Sequence, residues 1–127
     1  YVSDGNQIIV DGAHNPLAFS AIKKYLETLD KERKIFLVLA MMSTKQHKAC
    51  IQILKEKVHS ITTLDMPNQT NFIKKEELSK IARSCGIPSK TGNSIEEALK
   101  DIASENKNAT IFCTGSLYFA AEILNLN

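Results

Sequence analysis

Three cysteines, Cys50, Cys85 and Cys113, are too few, too widely spaced and odd in number to build the disulfide framework of a small secreted domain, and no Cys-x-x-Cys pair offers a metal site. The expected compartment is the cytoplasm. No apolar run approaches the roughly 20 residues that cross a bilayer, and no signal peptide opens the chain, so neither membrane insertion nor export is expected. An excess of one charge is missing as well. With 16 basic residues against 14 acidic ones the formal charge is +2, and basic residues cluster only briefly, at Lys31 to Lys34 and at Lys74-Lys75. That pattern gives nucleic-acid binding no support.

Several signatures of cofactor binding are also absent. There is no G-x-G-x-x-G after a strand and no acid closing the second strand to bind a ribose, which argues against a dinucleotide. There is no G-x-x-x-x-G-K-[ST] either. Ser89-Lys90-Thr91 lies between Gly86 and Gly92 with the wrong glycine spacing, so the chain has no P-loop cradle for a triphosphate. His14, His47 and His59 are scattered without companion cysteines or carboxylates, and no metal site is expected. Neither repeats nor low-complexity segments interrupt the chain.

What is present suits one soluble globular domain with a real core: 127 residues, 43% hydrophobic and 24% charged. The chain opens at Tyr1 without a methionine and reads as the excised end of a longer protein. Ile8-Ile9-Val10 reads as a first strand. Asn15 then suits a helix N-cap and Pro16 the first helical position, where a missing N–H costs nothing. Leu17, Ile22, Tyr25, Leu26 and Leu29 recur at helical spacing until the charged stretch Asp30 to Lys34. Ile35 to Ala40 is a continuous apolar run, as expected of a strand covered on both faces. Ser43 or Thr44 is expected to cap a second helix that turns Ile51, Ile53, Leu54 and Val58 inward, followed by a third strand from Ile61 to Leu64.

Pro67 to Phe72 reads as an exposed loop. The third helix is expected over about Lys74 to Cys85, with Leu78, Ile81 and Ala82 inward and Gly86 as a left-handed stop. A short strand follows near Ser89 to Thr91, and Ser94 with Glu97 has the spacing of a capping box for a helix carrying Ala98, Leu99 and Ile102. Ala109 to Cys113 reads as a buried strand, Thr114-Gly115-Ser116 as a turn, and Leu117 to Leu124 as a closing helix. Alternating strands and helices with apolar strands predict an α/β fold: a mostly parallel open sheet with helices on both faces. Ligands of such sheets sit beyond the carboxyl ends of the strands. That places Asp11 to Asn15, Met42 to Lys45, Asp65 to Asn68 and Thr114 to Ser116 along one rim.

Asp11-Gly12-Ala13-His14-Asn15-Pro16 puts a carboxylate and an imidazole beside a helix N-terminus, whose free N–H groups favour anionic ligands. A nucleotide site would have this form. An ordinary Asp-Gly turn before a capped helix would have it too. Lys45 could reach a phosphate or ribose from the rim, although a lysine there is ordinarily just solvated. Ser116 could hold a carboxylate, and capping the last helix explains it equally well. Cys113 lies inside an apolar strand, where burial leaves a thiol inert.

Three blocks in this order, Asp11-Gly12-Ala13-His14-Asn15-Pro16, Met41-Met42-Ser43-Thr44-Lys45 and Phe112-Cys113-Thr114-Gly115-Ser116-Leu117-Tyr118, resemble the carboxy-terminal domain of bifunctional folylpolyglutamate synthase/dihydrofolate synthase, a member of the Mur ligase family. The resemblance spans essentially the whole of residues 1–127 and implies a Rossmann-like domain that closes over ATP held elsewhere. It further implies an ATP-dependent ligase that phosphorylates a carboxylate of dihydropteroate or folate and joins L-glutamate to it. In that picture Asp11 hydrogen-bonds the ATP ribose, His14 sits near the nucleotide, Lys45 contacts it from the same rim, and Ser116 helps place the glutamate. ATP and Mg2+ are then held mainly by the missing amino-terminal part. This domain alone carries no catalytic residue and is inactive by itself, and the enzyme is a cytoplasmic monomer. One residue departs from the pattern: Gln46 stands where the family commonly has an acid after the lysine.

Two rival readings remain at this level. One is another Mur-type ligase with a peptide or sugar-peptide substrate. The other is a receiver-like signalling module with Asp65 as phosphoacceptor, although such a module pairs acids after the first strand and places a lysine after the last, where this chain has a lone Asp11 and Thr114-Gly115-Ser116.

Overall fold

A computed structural model describes residues 5–125 of the chain. Strands and helices alternate strictly: β1 (Gln7–Val10), α1 (Pro16–Leu26), β2 (Ile35–Leu39), α2 (His47–Ile53), β3 (Ser60–Thr63), α3 (Lys75–Ser84), β4 (Ser89–Thr91), α4 (Ile95–Glu105), β5 (Thr110–Thr114) and α5 (Leu117–Leu124). The strands form one sheet in the order β1-β5-β2-β3-β4, and each neighbouring pair is parallel. The last strand is therefore a central one. It pairs with β1 in the register Ile9 to Phe112 and with β2 in the register Leu37 to Phe112.

Because side chains alternate across a strand, the apolar runs supply two cores at once. Leu37 and Leu39 of β2 join Phe112 of β5 on one face, with Phe19, Ile22 and Leu26 of α1, Cys50 and Ile51 of α2, and Leu78 and Ala82 of α3. Val38 of β2 joins Ile111 and Cys113 of β5 on the other, with Ala98, Leu99 and Ile102 of α4 and Phe119 and Ile123 of α5. Helices thus cover both faces, as the continuous apolar strands predict.

Local expectations hold where the signal is short-range. Asn15 caps α1 by accepting from the Ala18 N–H at 2.9 Å, with Pro16 at the first turn. Gly86 has φ +86 after α3. Ser94 accepts from the Glu97 N–H at 3.1 Å, but the return half of the box is not made, since the Glu97 carboxylate takes the Asn93 amide instead, at 3.3 Å.

Two expectations fail. Leu17 is 84% exposed, because the inward stripe of α1 is Phe19, Ile22 and Leu26 with Tyr25 at its edge, 6.4 Å from the Phe112 ring, and Leu29 lies past the helix end. Neither Ser43 nor Thr44 caps α2, which begins at His47 after a Gln46 that makes no side-chain cap. The segment before it is drawn across to the next connection, where Met42 bridges antiparallel to Phe72.

Candidate functional site

The order in which strands are added to the sheet reverses at β5. Helices α1, α2 and α3, which follow β1, β2 and β3, lie on one face of the sheet, while α5, which follows β5, lies on the other. The connections leaving β1 and β5, and those leaving β2 and β5, therefore part to opposite faces and open a crevice at the carboxyl end of β5. Open α/β sheets bind ligands at such a switch point. Asp11 to Asn15 follow β1 on one side of β5, Thr114 to Ser116 close β5 itself, and the segment leading to Lys45 follows β2 on the other side.

The first corner is stitched directly to the last. The Asp11 N–H extends the ladder by donating to the Cys113 carbonyl at 3.0 Å. The Ala13 carbonyl then accepts from the Gly115 N–H at 3.0 Å and from the Thr114 hydroxyl at 3.4 Å. Gly115 has φ +119, and a Cβ there would run into the Ala40 carbonyl oxygen. Only glycine lets this turn lie so close to the end of β2.

Asp11 is exposed at the strand end. Its Oδ1 accepts from the Ala13 N–H at 2.7 Å, an Asx turn that fixes the carboxylate at the strand end. His14 is half-buried, with Nδ1 3.1 Å from the Gly12 carbonyl. A carbonyl only accepts, so Nδ1 carries the hydrogen in this contact and Nε2 is the free nitrogen. The structure therefore brings Asp11, His14 and the Ser116 turn together. An apolar groove of about 380 Å3 along β1 and α1, floored by Ile22 and Phe112, opens beside Asp11.

Ser116 is 2% exposed. Its Oγ accepts from the Tyr118 and Phe119 N–H groups at 3.0 and 3.4 Å, so the hydroxyl is first of all the N-cap of α5 and only its proton remains to be donated. Lys45 is half-buried and lies beyond β2, the second strand over from Asp11. Its carrier turn is closed by the Lys45 N–H to the Met42 carbonyl at 3.4 Å. Sequence reasoning missed the residues that hold this turn in place. His47 Nε2 is 2.7 Å from the Met42 carbonyl, the Ser43 N–H donates to the Asn71 carbonyl at 2.7 Å, and the Ile73 N–H donates to the Met41 carbonyl at 3.0 Å.

Other candidates take structural parts. The Asp65 Oδ1 accepts from the Lys75 N–H at 2.8 Å and so caps α3, a use that does not favour a phosphoacceptor. Burial pushes the Cys113 thiol up to about 12 and Cys50 up to about 11, which keeps both protonated and unreactive. Among the described residues no group of three or more His, Cys, Asp and Glu converges as a metal site would require. A cleft of about 490 Å3 between Asp30 to Lys34 and Glu105 to Asn108 lies at the opposite, amino end of the strands. There the Arg33 guanidinium is tied to the Thr110 hydroxyl and to the Gly5 and Ala109 carbonyls.

Sheet order and helix placement together define a doubly wound parallel α/β domain whose switch point lies around its last strand. A family model described as the C-terminal domain of dihydrofolate synthetase matches residues 2–126, and the chain belongs to that family. Solved structures share the fold. Mycobacterium tuberculosis folylpolyglutamate synthase complexed with ADP superposes with a TM-score of 0.83 at 21% identity, covering 94% of this chain and 29% of that one. E. coli FolC in complex with DHPP and ADP gives 0.82 at 22% identity, covering 98% and 29%. The bifunctional folylpolyglutamate synthase/dihydrofolate synthase of Yersinia pestis, complexed with AMPPNP and Mn ion, gives 0.81 at 19% identity, covering 92% and 27%. The chain thus spans less than a third of the length of these proteins. No curated protein matches the sequence significantly.

Proposed function

We propose that this chain is the Mur ligase-type C-terminal domain of an ATP-dependent ligase that joins L-glutamate to folate or dihydropteroate. In that reaction the acceptor carboxylate attacks the γ-phosphorus of ATP and expels ADP. The glutamate amine then attacks the resulting acyl phosphate, loses a proton and expels inorganic phosphate. ATP and magnesium supply the activation. The chain's own residues fit contact with the sugar end of the nucleotide rather than a metal cage, since Asp11 lies on an exposed rim with one oxygen in its Asx turn, and among the described residues carboxylates do not cluster around it.

In this reading Asp11 accepts a hydrogen bond from a ribose hydroxyl and His14 borders the nucleotide through Nε2. Lys45 contacts the nucleotide from the far side of the crevice. Ser116 helps place the incoming glutamate, with its hydroxyl proton and the N-terminal end of α5 favouring an anionic group. None of these groups performs a bond-breaking step. Their work is orientation and exclusion of water when this domain closes on the rest of the enzyme, which holds the phosphates and magnesium. The family match over residues 2–126 carries the proposal, and the hydrogen bonds that join the Asp11 to His14 corner to the Thr114-Gly115 turn through the Ala13 carbonyl support it. Relatives of the same fold captured with ADP, DHPP, AMPPNP and Mn ion bind ligands of the expected kind. In this reading the enzyme acts as a monomer in the cytoplasm, which light scattering on the full-length protein and fractionation of cells respectively check.

The test is ATP- and folate-dependent incorporation of glutamate by the full-length enzyme. Loss of a hydrogen bond to a charged group predicts that Asp11→Ala lowers kcat/KM about 10- to 100-fold with folding intact, and His14→Ala lowers it measurably in the same direction. Full activity in both variants removes the pair from the mechanism.

A further inference from the structure

The turn that presents Lys45 has no ordinary helix cap to fix it. Helix α2 is only 7 residues long, and Gln46 ahead of it, at φ −88 and ψ 73, makes no capping bond. The Met42 carbonyl is the node instead. It receives the Lys45 N–H at 3.4 Å and the His47 imidazole at 2.7 Å, so the short bond of the pair comes from the side chain. The neighbouring connection provides a second arm: Ser43 N–H to Asn71 and Ile73 N–H to Met41 strap the turn on its other side.

We propose that His47 is a positioning residue, which holds the Met42 to Lys45 turn so that the Lys45 ammonium stays on the crevice side of the rim. The proposal rests on the reading of Lys45 as a nucleotide contact. Since a carbonyl only accepts, Nε2 carries the hydrogen in this bond, and a glutamine amide can replace it as donor. Without a donor the Met42 carbonyl keeps only the long Lys45 bond, and although Asn71 and Ile73 still strap the other side of the turn, Lys45 samples positions away from the nucleotide. The expected signature is weaker ATP binding with little change in the rate of the bound complex.

Steady-state kinetics of the full-length enzyme with His47→Ala, His47→Gln, Lys45→Ala and the Lys45→Ala/His47→Ala double variant decide it. One lost hydrogen bond predicts that His47→Ala raises KM for ATP roughly 3- to 10-fold with kcat within about twofold, and that His47→Gln restores most of the loss. In the Lys45→Ala background the His47 change should add nothing. Should His47→Ala not fold, His47→Leu, which keeps bulk without a donor, takes its place. An unchanged KM in the donorless variant, or an equal rise whether or not Lys45 is present, overturns the positioning role. An unchanged KM in Lys45→Ala alone removes the lysine contact itself, and the proposal falls with it.

Discussion

Gly115 is the residue on which the crevice turns. A methyl group there would meet the backbone oxygen of Ala40, an obstacle that cannot rotate away, and φ +119 is unfavourable for any L side chain. Gly115→Ala should therefore destabilise the domain by about 1–3 kcal/mol, read as a lower urea midpoint at unchanged slope. Gly12 is a milder case, because the atom its Cβ would meet belongs to the movable Leu117 side chain. The buried thiols make a pH prediction. Their folded pKa values, about 11 for Cys50 and about 12 for Cys113, lie above the ordinary 9.0, so the folded state holds its protons longer than the unfolded one. That contribution to stability is complete below pH 9.0 and is lost as pH rises towards 11 and 12, so the urea midpoint should fall across that window. Native protein near neutral pH should resist alkylation at both sites. At this scale the sequence was legible where donor and acceptor are close along the chain. Asn15 and Ser94 declare themselves as caps, whereas the Ala13 carbonyl finds its partners in Thr114 and Gly115 only after folding.

Among the elements, α3 shows how a cap can come from elsewhere. Lys74 occupies the N-cap position without a side-chain bond, and Asp65 supplies the carboxylate from the end of β3. Asp65→Ala should cost about 1 kcal/mol, with protection of the first α3 amides from hydrogen exchange falling along with it. The same distinction explains which helices could be read in advance. Helix α4 begins with a local cap and carries Ala98, Leu99 and Ile102 on one stripe, and its start and inward face follow from the pattern. Helix α2 has no local start signal. Ser43 and Thr44 resemble caps, yet their segment pairs with Phe72 instead, a choice made by the tertiary neighbour and invisible to a window of a dozen residues. The apolar face of α1 differs from the count for another reason: Leu17 fits a loose helical spacing, while the stripe that meets the sheet is set by Phe19, Ile22 and Leu26, with Tyr25 at its edge beside Phe112.

For the whole molecule, alternation of strands and helices made the α/β class legible, but the strand order is not a local property. Nothing near Thr110 to Thr114 announces that this segment belongs between β1 and β2, so the sequence could line up the candidate residues on one rim without showing which of them touch. If the phosphates are held by the rest of the enzyme, the isolated domain should bind ATP weakly or undetectably by calorimetry, and a tight complex would mean that the phosphate site lies within this chain. The position of β5 also bears on how the protein is made. During synthesis β1 leaves the ribosome ahead of the other four strands and has no partner until a strand about 100 residues later arrives to fill the gap beside it, so the early part of the domain waits as an unclosed sheet. A message cut short before Thr110 would then yield not a slightly smaller domain but two halves with their seam missing, and such a product should be cleared by proteases rather than accumulate.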